Sequence, residues 1–282
     1  MFSPALALDV ELEDVKFPCM MQEKYNGVRF EKLNGMALTR TLKPIPNDYI
    51  RQAICDAPWD NVEGEILIRY VTTVNEVTSA VMSQRGTPDF YLKAFDIVDK
   101  PTWCYNERYS HLLDRISNQP NITPVEYHNC NSLLGLQSFA HQVQQAGGEG
   151  IIIRYNLPYK NGRSTKGHPG LLRHVLHAQA TATIISCEEL MSNENEQFTD
   201  ELGRTKRSKH QANMVPMNTL GAFLVKCDLF PKPFRVGTGF DAVQRQTYWE
   251  NQAMLINEDL IFEYKPSTVI EVPAPAVFKR LV

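Results

Sequence analysis

Apolar positions in the chain recur with two periods, one of strands and one of helices, and their boundaries fall at turn and capping residues. Residues 28–33 and 36–40 flank Asn34-Gly35, a dipeptide favoured in two-residue hairpin turns, so a hairpin is predicted there, which places Lys24 at the entrance to a sheet. Asn47 is placed to cap a short helix with Ile50, Ala53 and Ile54 on one face, and Ile66-Leu67-Ile68 then predicts a buried strand. Residues 91–98 predict another strand. Asn106 is the expected cap of a helix carrying Tyr109, Leu112, Leu113 and Ile116, while Leu133, Leu136, Phe139, Ala140 and Val143 predict a further helix ending at Gly147-Gly148. Ile151-Ile152-Ile153 resumes the sheet.

The pattern changes near residue 176, after which short β-type runs dominate, at 181–187, 222–227 and 260–264. Between the first two lies a polar stretch, 191–219, with Arg204, Lys206, Arg207, Lys209 and His210 packed into seven positions. Loops of such length are uncommon in compact domains unless they serve a function. The expectation is an α+β domain over 1–176, followed by an all-β domain over 177–282 that carries a basic appendage at about 191–219. No internal repeat or low-complexity tract interrupts this plan.

Of 282 residues, 43% are hydrophobic and 22% charged, values that suit a globular chain and exclude disordered, collagen-like and coiled-coil classes. No apolar run approaches the length needed to span a bilayer, and Met1-Phe2-Ser3-Pro4 lacks the basic start of a secretion signal, so no membrane partner is expected. Six cysteines lie far apart with no zinc-type spacing, which reads as reduced thiols in a cytoplasmic protein. The net charge of -3 does not advertise nucleic acid, so that case rests on local basic clusters.

Four segments have residue types suited to phosphate chemistry. Lys24-Tyr25-Asn26-Gly27-Val28-Arg29 places a lysine beside a flexible turn and an arginine, the setting of a covalent nucleophile, although most lysines are merely solvated. Glu63-Gly64-Glu65 and Glu149-Gly150 each lead into an apolar strand, so Glu65 and Glu149 are candidate Mg²⁺ ligands, against a background in which strand-edge glutamates are usually surface charges. Phe95 offers a ring for stacking on a base or for ordinary core packing. The segment from Tyr159 to Lys166 carries donors suited to phosphate oxygens.

The order of these segments, together with Asp14-Val15-Lys16-Phe17-Pro18-Cys19, Leu38-Thr39-Arg40-Thr41, Lys43-Pro44-Ile45, Thr78-Ser79-Ala80-Val81-Met82, Gly162-Arg163-Ser164-Thr165 and Val236-Gly237-Thr238-Gly239-Phe240-Asp241, resembles the ATP-dependent DNA ligases of the covalent nucleotidyltransferase superfamily, and within it the minimal viral type. The resemblance implies an ATP-grasp-like nucleotidyltransferase domain with antiparallel sheets and flanking helices, then an OB-fold β-barrel whose insertion acts as a latch around DNA. It implies sealing of 3′-hydroxyl/5′-phosphate nicks in duplex DNA with ATP and Mg²⁺, Mn²⁺ being the alternative metal. In that scheme Lys24 becomes lysyl-AMP, Glu65 binds the ribose and metal, Phe95 stacks on adenine, Glu149 holds metal, and Arg29 and Arg173 approach phosphate. Arg40 and Arg163 grip the nick 5′-phosphate, Ser164 and Thr165 are further DNA-binding residues, and Arg204, Lys206, Arg207 and Lys209 contact the duplex. The implied protein is a monomer encircling DNA, without a protein partner, in the cytoplasm of a bacterial host if phage-encoded.

Three departures from the family pattern bear on phosphate charge. Asn26 stands where the family's K-x-D-G motif has aspartate. Arg173-His174-Val175 aligns with a K-x-K pair, so its second lysine is replaced by valine. No R-x-D-K-like segment is recognisable near the C-terminus, where Lys279 and Arg280 are the substitutes at hand. An RNA ligase, a capping-type nucleotidyltransferase and a nick-binding protein impaired in the first step are the competing expectations.

Overall fold

The computed structural model describes residues 2–71, 73–199, 205–208, 213–266, 271–273 and 275–282. It divides into two compact units, Met1–Leu176 and His177–Val282. The whole is mixed α+β, dominated by antiparallel pairing with few helices.

Unit one runs β1 (Leu8–Asp9), β2 (Cys19–Lys24), β3 (Val28–Leu33), β4 (Met36–Thr39), α1 (Asp48–Asp56), β5 (Val62–Ile68), α2 (Val74–Met82), β6 (Phe90–Ile97), α3 (Tyr105–Ile116), β7 (Ile122–Pro124), β8 (His128–Cys130), α4 (Leu133–Gln145), β9 (Gly150–Arg154) and β10 (Leu171–Val175). Two five-stranded sheets result, ordered β4-β3-β5-β6-β7 and β1-β10-β9-β2-β8. The first packs α1, α2 and α3 through Phe30, Ile50, Ile54, Ile66, Val81 and Leu112. The second packs α4 through Leu136, Ala140, Ile151 and Ile153. Burial of these side chains at the expected periods is the main force holding both layers.

Local chemistry fixes the boundaries. Asn34 and Gly35 both take positive φ, as the β3–β4 turn demands. Asn47 caps α1, its oxygen accepting from Ile50 N–H at 2.9 Å while its amide donates to Ser83 O at 3.0 Å. Helix α3 starts earlier than expected: Cys104 is its cap, because the Glu107 carboxylate accepts from Cys104 N–H at 2.8 Å, whereas Asn106 N–H donates to Asn156. Leu113, expected on the buried face, is 41% exposed.

Unit two contains β11 (Ala178–Asn193), β12 (Gln197–Thr199), β13 (Thr205–Arg207), β14 (Met214–Lys226), β15 (Phe234–Val236), α5 (Ala242–Glu250), α6 (Gln252–Leu255), β16 (Asp259–Tyr264) and β17 (Ala276–Leu281). Its sheet is ordered β15-β14-β11-β16-β17 around Ile184, Phe223, Val225, Phe262 and Phe278. The polar stretch 191–219 is largely strand: Asn193 pairs with Met214, and β12 pairs with β13 as a separate ribbon. The segments of this ribbon show no apolar alternation, which is why the sequence resembles a loop. A parallel bridge joins Thr238 to Val277.

Candidate active site

Strands β2 and β9 set the reactive pair. Lys24 lies opposite Gly150 in the antiparallel register, so Glu149, one residue before β9, meets the lysine, and Nζ forms an ion pair with Oε2. Gly150 permits the approach of β10, since a Cβ there would lie 2.3 Å from His174 O. Gly27 is equally constrained: a Cβ would lie 2.3 Å from Ile66 O and 2.7 Å from Glu65 Cγ. The glycine three residues after the lysine therefore lets the turn lie against β5 and brings Glu65 beside it.

A cavity of about 200 Å³ is lined by Lys24, Arg29, Arg40, Glu65, Phe95 and Arg173, with Leu6, Ala7 and Glu23 completing part of its wall. Six sequence-selected side chains from different strands and loops thus share one cavity, and Glu149 joins them through Lys24. Burial pushes the Glu65 carboxyl up to about 7, the charge of Glu149 adding to the rise while Lys24 and Arg29 oppose it. Among the described residues no group of three or more His, Cys, Asp or Glu side chains is arranged for a metal. Two carboxylates, Glu65 and Glu149, suit Mg²⁺, which commonly takes one or two protein carboxylates and completes its shell with substrate phosphate and water.

Arg29 is held from three sides: Nε donates to Glu31 at 3.1 Å, Nη1 to Ala5 O at 2.5 Å and Nη2 to Glu63 at 2.6 Å. Its guanidinium lies 5.4 Å from the Phe95 ring centroid. Glu31 is fully buried, and burial plus the charge of Glu63 raises its carboxyl despite Arg29. Arg173 is bound bidentately by Asp9, with contacts of 2.7 and 3.0 Å.

Sequence reasoning missed the ionic lattice beneath the cavity. Asp96 accepts from Arg108 Nε at 2.7 Å and from Arg154 Nη1 at 3.0 Å, and Arg154 Nε reaches Gln22 at 2.8 Å. Charged residues inside otherwise apolar strands, Asp96 beside Ile97 and Arg154 after Ile151-Ile152-Ile153, were the available signal.

The remaining selected residues are more dispersed. Arg163 is exposed and its Nη1 donates to Ala7 O at 3.3 Å; Thr165 is exposed. Ser164 is 1% exposed and its hydroxyl accepts from Leu171 N–H at 3.1 Å, which braces the segment. Arg207 is exposed and donates to Asn195 O at 2.6 Å. Arg204 and Lys209 lie outside the described residues, and for Lys206 only the backbone in β13 is described. All six cysteines are free, and among the described residues no helix is long and apolar enough to cross a membrane.

No protein-family model matches the chain, and no curated protein sequence does. Solved structures match over its full length. A chlorella virus DNA ligase-adenylate is 30% identical with a TM-score of 0.58, the match covering 99% of each chain. Another crystal structure of that ligase-adenylate gives 29% identity and a TM-score of 0.59 over 100% of this chain and 98% of that one. A Lig E DNA ligase described as a minimal scaffold is 20% identical with a TM-score of 0.69 and complete coverage of both chains, a likeness of fold alone.

Proposed function

The chain belongs to the ATP-dependent DNA ligases, and from that premise we propose that it seals 3′-hydroxyl/5′-phosphate nicks in duplex DNA through a lysyl-AMP intermediate on Lys24. The observation that carries this reading is the Lys24–Glu149 pair beside a cavity lined by Arg29, Glu65 and Phe95. Lys24 Nζ attacks the α-phosphate of ATP, forming the N–P bond as pyrophosphate departs. AMP then passes to the nick 5′-phosphate, and the 3′-hydroxyl displaces it. Phosphoryl transfer of this kind depends on in-line placement and on neutralising charge.

Phe95 stacks on adenine, Glu65 binds the ribose, and Arg29, Arg40 and Arg163 take phosphate oxygens, for which the guanidinium fork is suited. Glu65 and Glu149 would hold Mg²⁺, whose contribution when bound is to neutralise phosphate charge. In unit two the Thr238–Val277 bridge, reinforced by Phe278 N–H donating to Thr238 O at 2.8 Å, supports an OB-type barrel closing between the ends of β15 and β17. The segment around the β12–β13 ribbon is the proposed latch on the duplex, Arg204, Lys206, Arg207 and Lys209 being its proposed phosphate contacts, and the chain acts as a cytoplasmic monomer, a phage or viral origin fitting its plan.

A second reading is favoured by two features: Val175 stands in place of a phosphate-binding lysine, and Arg173 is occupied by Asp9. On that reading self-adenylylation is slow relative to sealing of a pre-adenylated nick. The substrate test compares nicked DNA, nicked RNA and a 5′-diphosphate RNA end with Mg²⁺ and either ATP or GTP. Sealing of nicked DNA, weakening steeply with salt, is expected. Preferential RNA sealing or guanylyl transfer to the diphosphate end would reject the DNA ligase reading.

A further inference from the structure

Arg29 belongs to a closed cycle of hydrogen bonds that neither the active-site reading nor the family likeness assigns a role. Its Nη2 donates to Glu63 Oε2 at 2.6 Å; the same oxygen accepts from the Tyr159 hydroxyl at 2.9 Å; that hydroxyl accepts from Ala5 N–H at 2.9 Å; and Ala5 O accepts from Arg29 Nη1 at 2.5 Å. Ala5 and Tyr159 are both buried, at 6% and 8% exposure, so water does not substitute readily for any link.

The backbone around Ala5 also binds the phosphate-loop candidate. Leu6 N–H donates to Gly162 O at 2.9 Å, Ser164 N–H donates to Leu6 O at 2.8 Å, and Arg163 Nη1 donates to Ala7 O at 3.3 Å. One extended strap, residues 3–7, therefore supplies a carbonyl to Arg29 and another to Arg163. With Nε bound to Glu31, three of the five Arg29 N–H groups are engaged, leaving one on each terminal nitrogen for the cavity it lines. A guanidinium held in this way loses little freedom on meeting phosphate.

We propose that Tyr159 is a positioning residue for phosphoryl transfer: through its hydroxyl, Glu63 and the residue 3–7 strap, it fixes the Arg29 guanidinium toward the reacting phosphate. This inference rests on the lysyl-AMP reading. Tyr159 is suited to the part because burial raises its phenol, with the Glu63 charge adding to the rise, so it remains a donor. Glu63 is held as the charged acceptor because Arg29 and Arg154 outweigh its burial.

The test is single-turnover AMP attachment followed by intact mass, with wild type, Tyr159→Phe, Arg29→Lys and the double variant across ATP concentrations. Tyr159→Phe keeps the ring and removes the hydroxyl. It is expected to slow AMP attachment about tenfold, with the ATP half-saturation changed less than about twofold, as for an interaction made mainly in the transition state. On Arg29→Lys it should add no further loss, because Tyr159 acts through Arg29. Glu63→Gln supplies a second variant should Tyr159→Phe melt early, with the same expected pattern. Equal rates for wild type and Tyr159→Phe, or the same factor lost on Arg29→Lys, would overturn the positioning role. No adduct on the wild type would instead overturn the lysyl-AMP reading beneath it.

Discussion

Asp96 and Glu65 lie on adjacent strands of one sheet, β6 and β5, and show two different solutions to placing a carboxylate inside protein. Asp96, fully buried, is matched by Arg108 and Arg154 at hydrogen-bond distance. Burial raises both carboxyls, Asp96 despite its two arginines and Glu65, with Lys24 and Arg29 in its field, to about 7. The first carboxylate is satisfied by the fold and ties strands to α3. The second lines the cavity with, among the described residues, no guanidinium bonded to it, as expected where a ligand or metal completes the site. Structure is built with paired charge, and chemistry is reserved for charge left incompletely paired.

Asn at position 96 breaks the satisfied side of this comparison and carries the largest expected effect. Asp96→Asn leaves two buried guanidinium groups without their anion, at a cost of about 3–5 kcal/mol in stability by denaturant unfolding. A loss below 1 kcal/mol would show that the lattice contributes little.

Glu65→Gln addresses the unsatisfied side, with the opposite sign. The folded-state value of about 7 exceeds the ordinary 4.5, so the native state binds the extra proton between them. Glu65 therefore contributes stability that is complete below pH 4.5 and is lost as pH rises through 7. At pH 9 the Gln variant should be more stable than wild type by about 1–3 kcal/mol, with the gap closing on acidification, while AMP attachment is lost. A constant gap from pH 5 to 9 would contradict the assigned cause.

Val175→Lys carries the smallest effect and asks whether the cavity lacks positive charge. It should raise AMP attachment several-fold, on the order of 1 kcal/mol in barrier, without changing sealing of a pre-adenylated nick. Equal wild-type rates for both steps, with no gain from lysine, would remove the reading of a weakened first step.

Much of this contrast was readable from residue order. The hairpin at Asn34-Gly35, the cap at Asn47 and the strand at Ile151-Ile152-Ile153 follow from short-range chemistry, which a linear sequence records directly. Helix α2 also has a short-range signal: Thr73 caps it and accepts from Glu76 N–H, the spacing of a capping box, ahead of Val77 and Val81 on the buried face. The partners in the Asp96 lattice were not readable, even though buried charge was signalled, since Asp96 on β6, Arg108 on α3 and Arg154 on β9 of the other sheet meet only through tertiary packing. Nor was the Tyr159 cycle, because two of its links run to the backbone of Ala5, and no side-chain pattern marks a backbone partner.

The central claim is that Lys24, held beside Glu149, is a nucleophile. Intact mass of the purified protein before and after ATP with Mg²⁺, alongside Lys24→Ala, tests it directly. An AMP-sized increase on the wild type and none on Lys24→Ala is the predicted result. An increase that survives Lys24→Ala would contradict the assignment, and wild-type protein that gains no mass while still binding nicked DNA would contradict the enzyme.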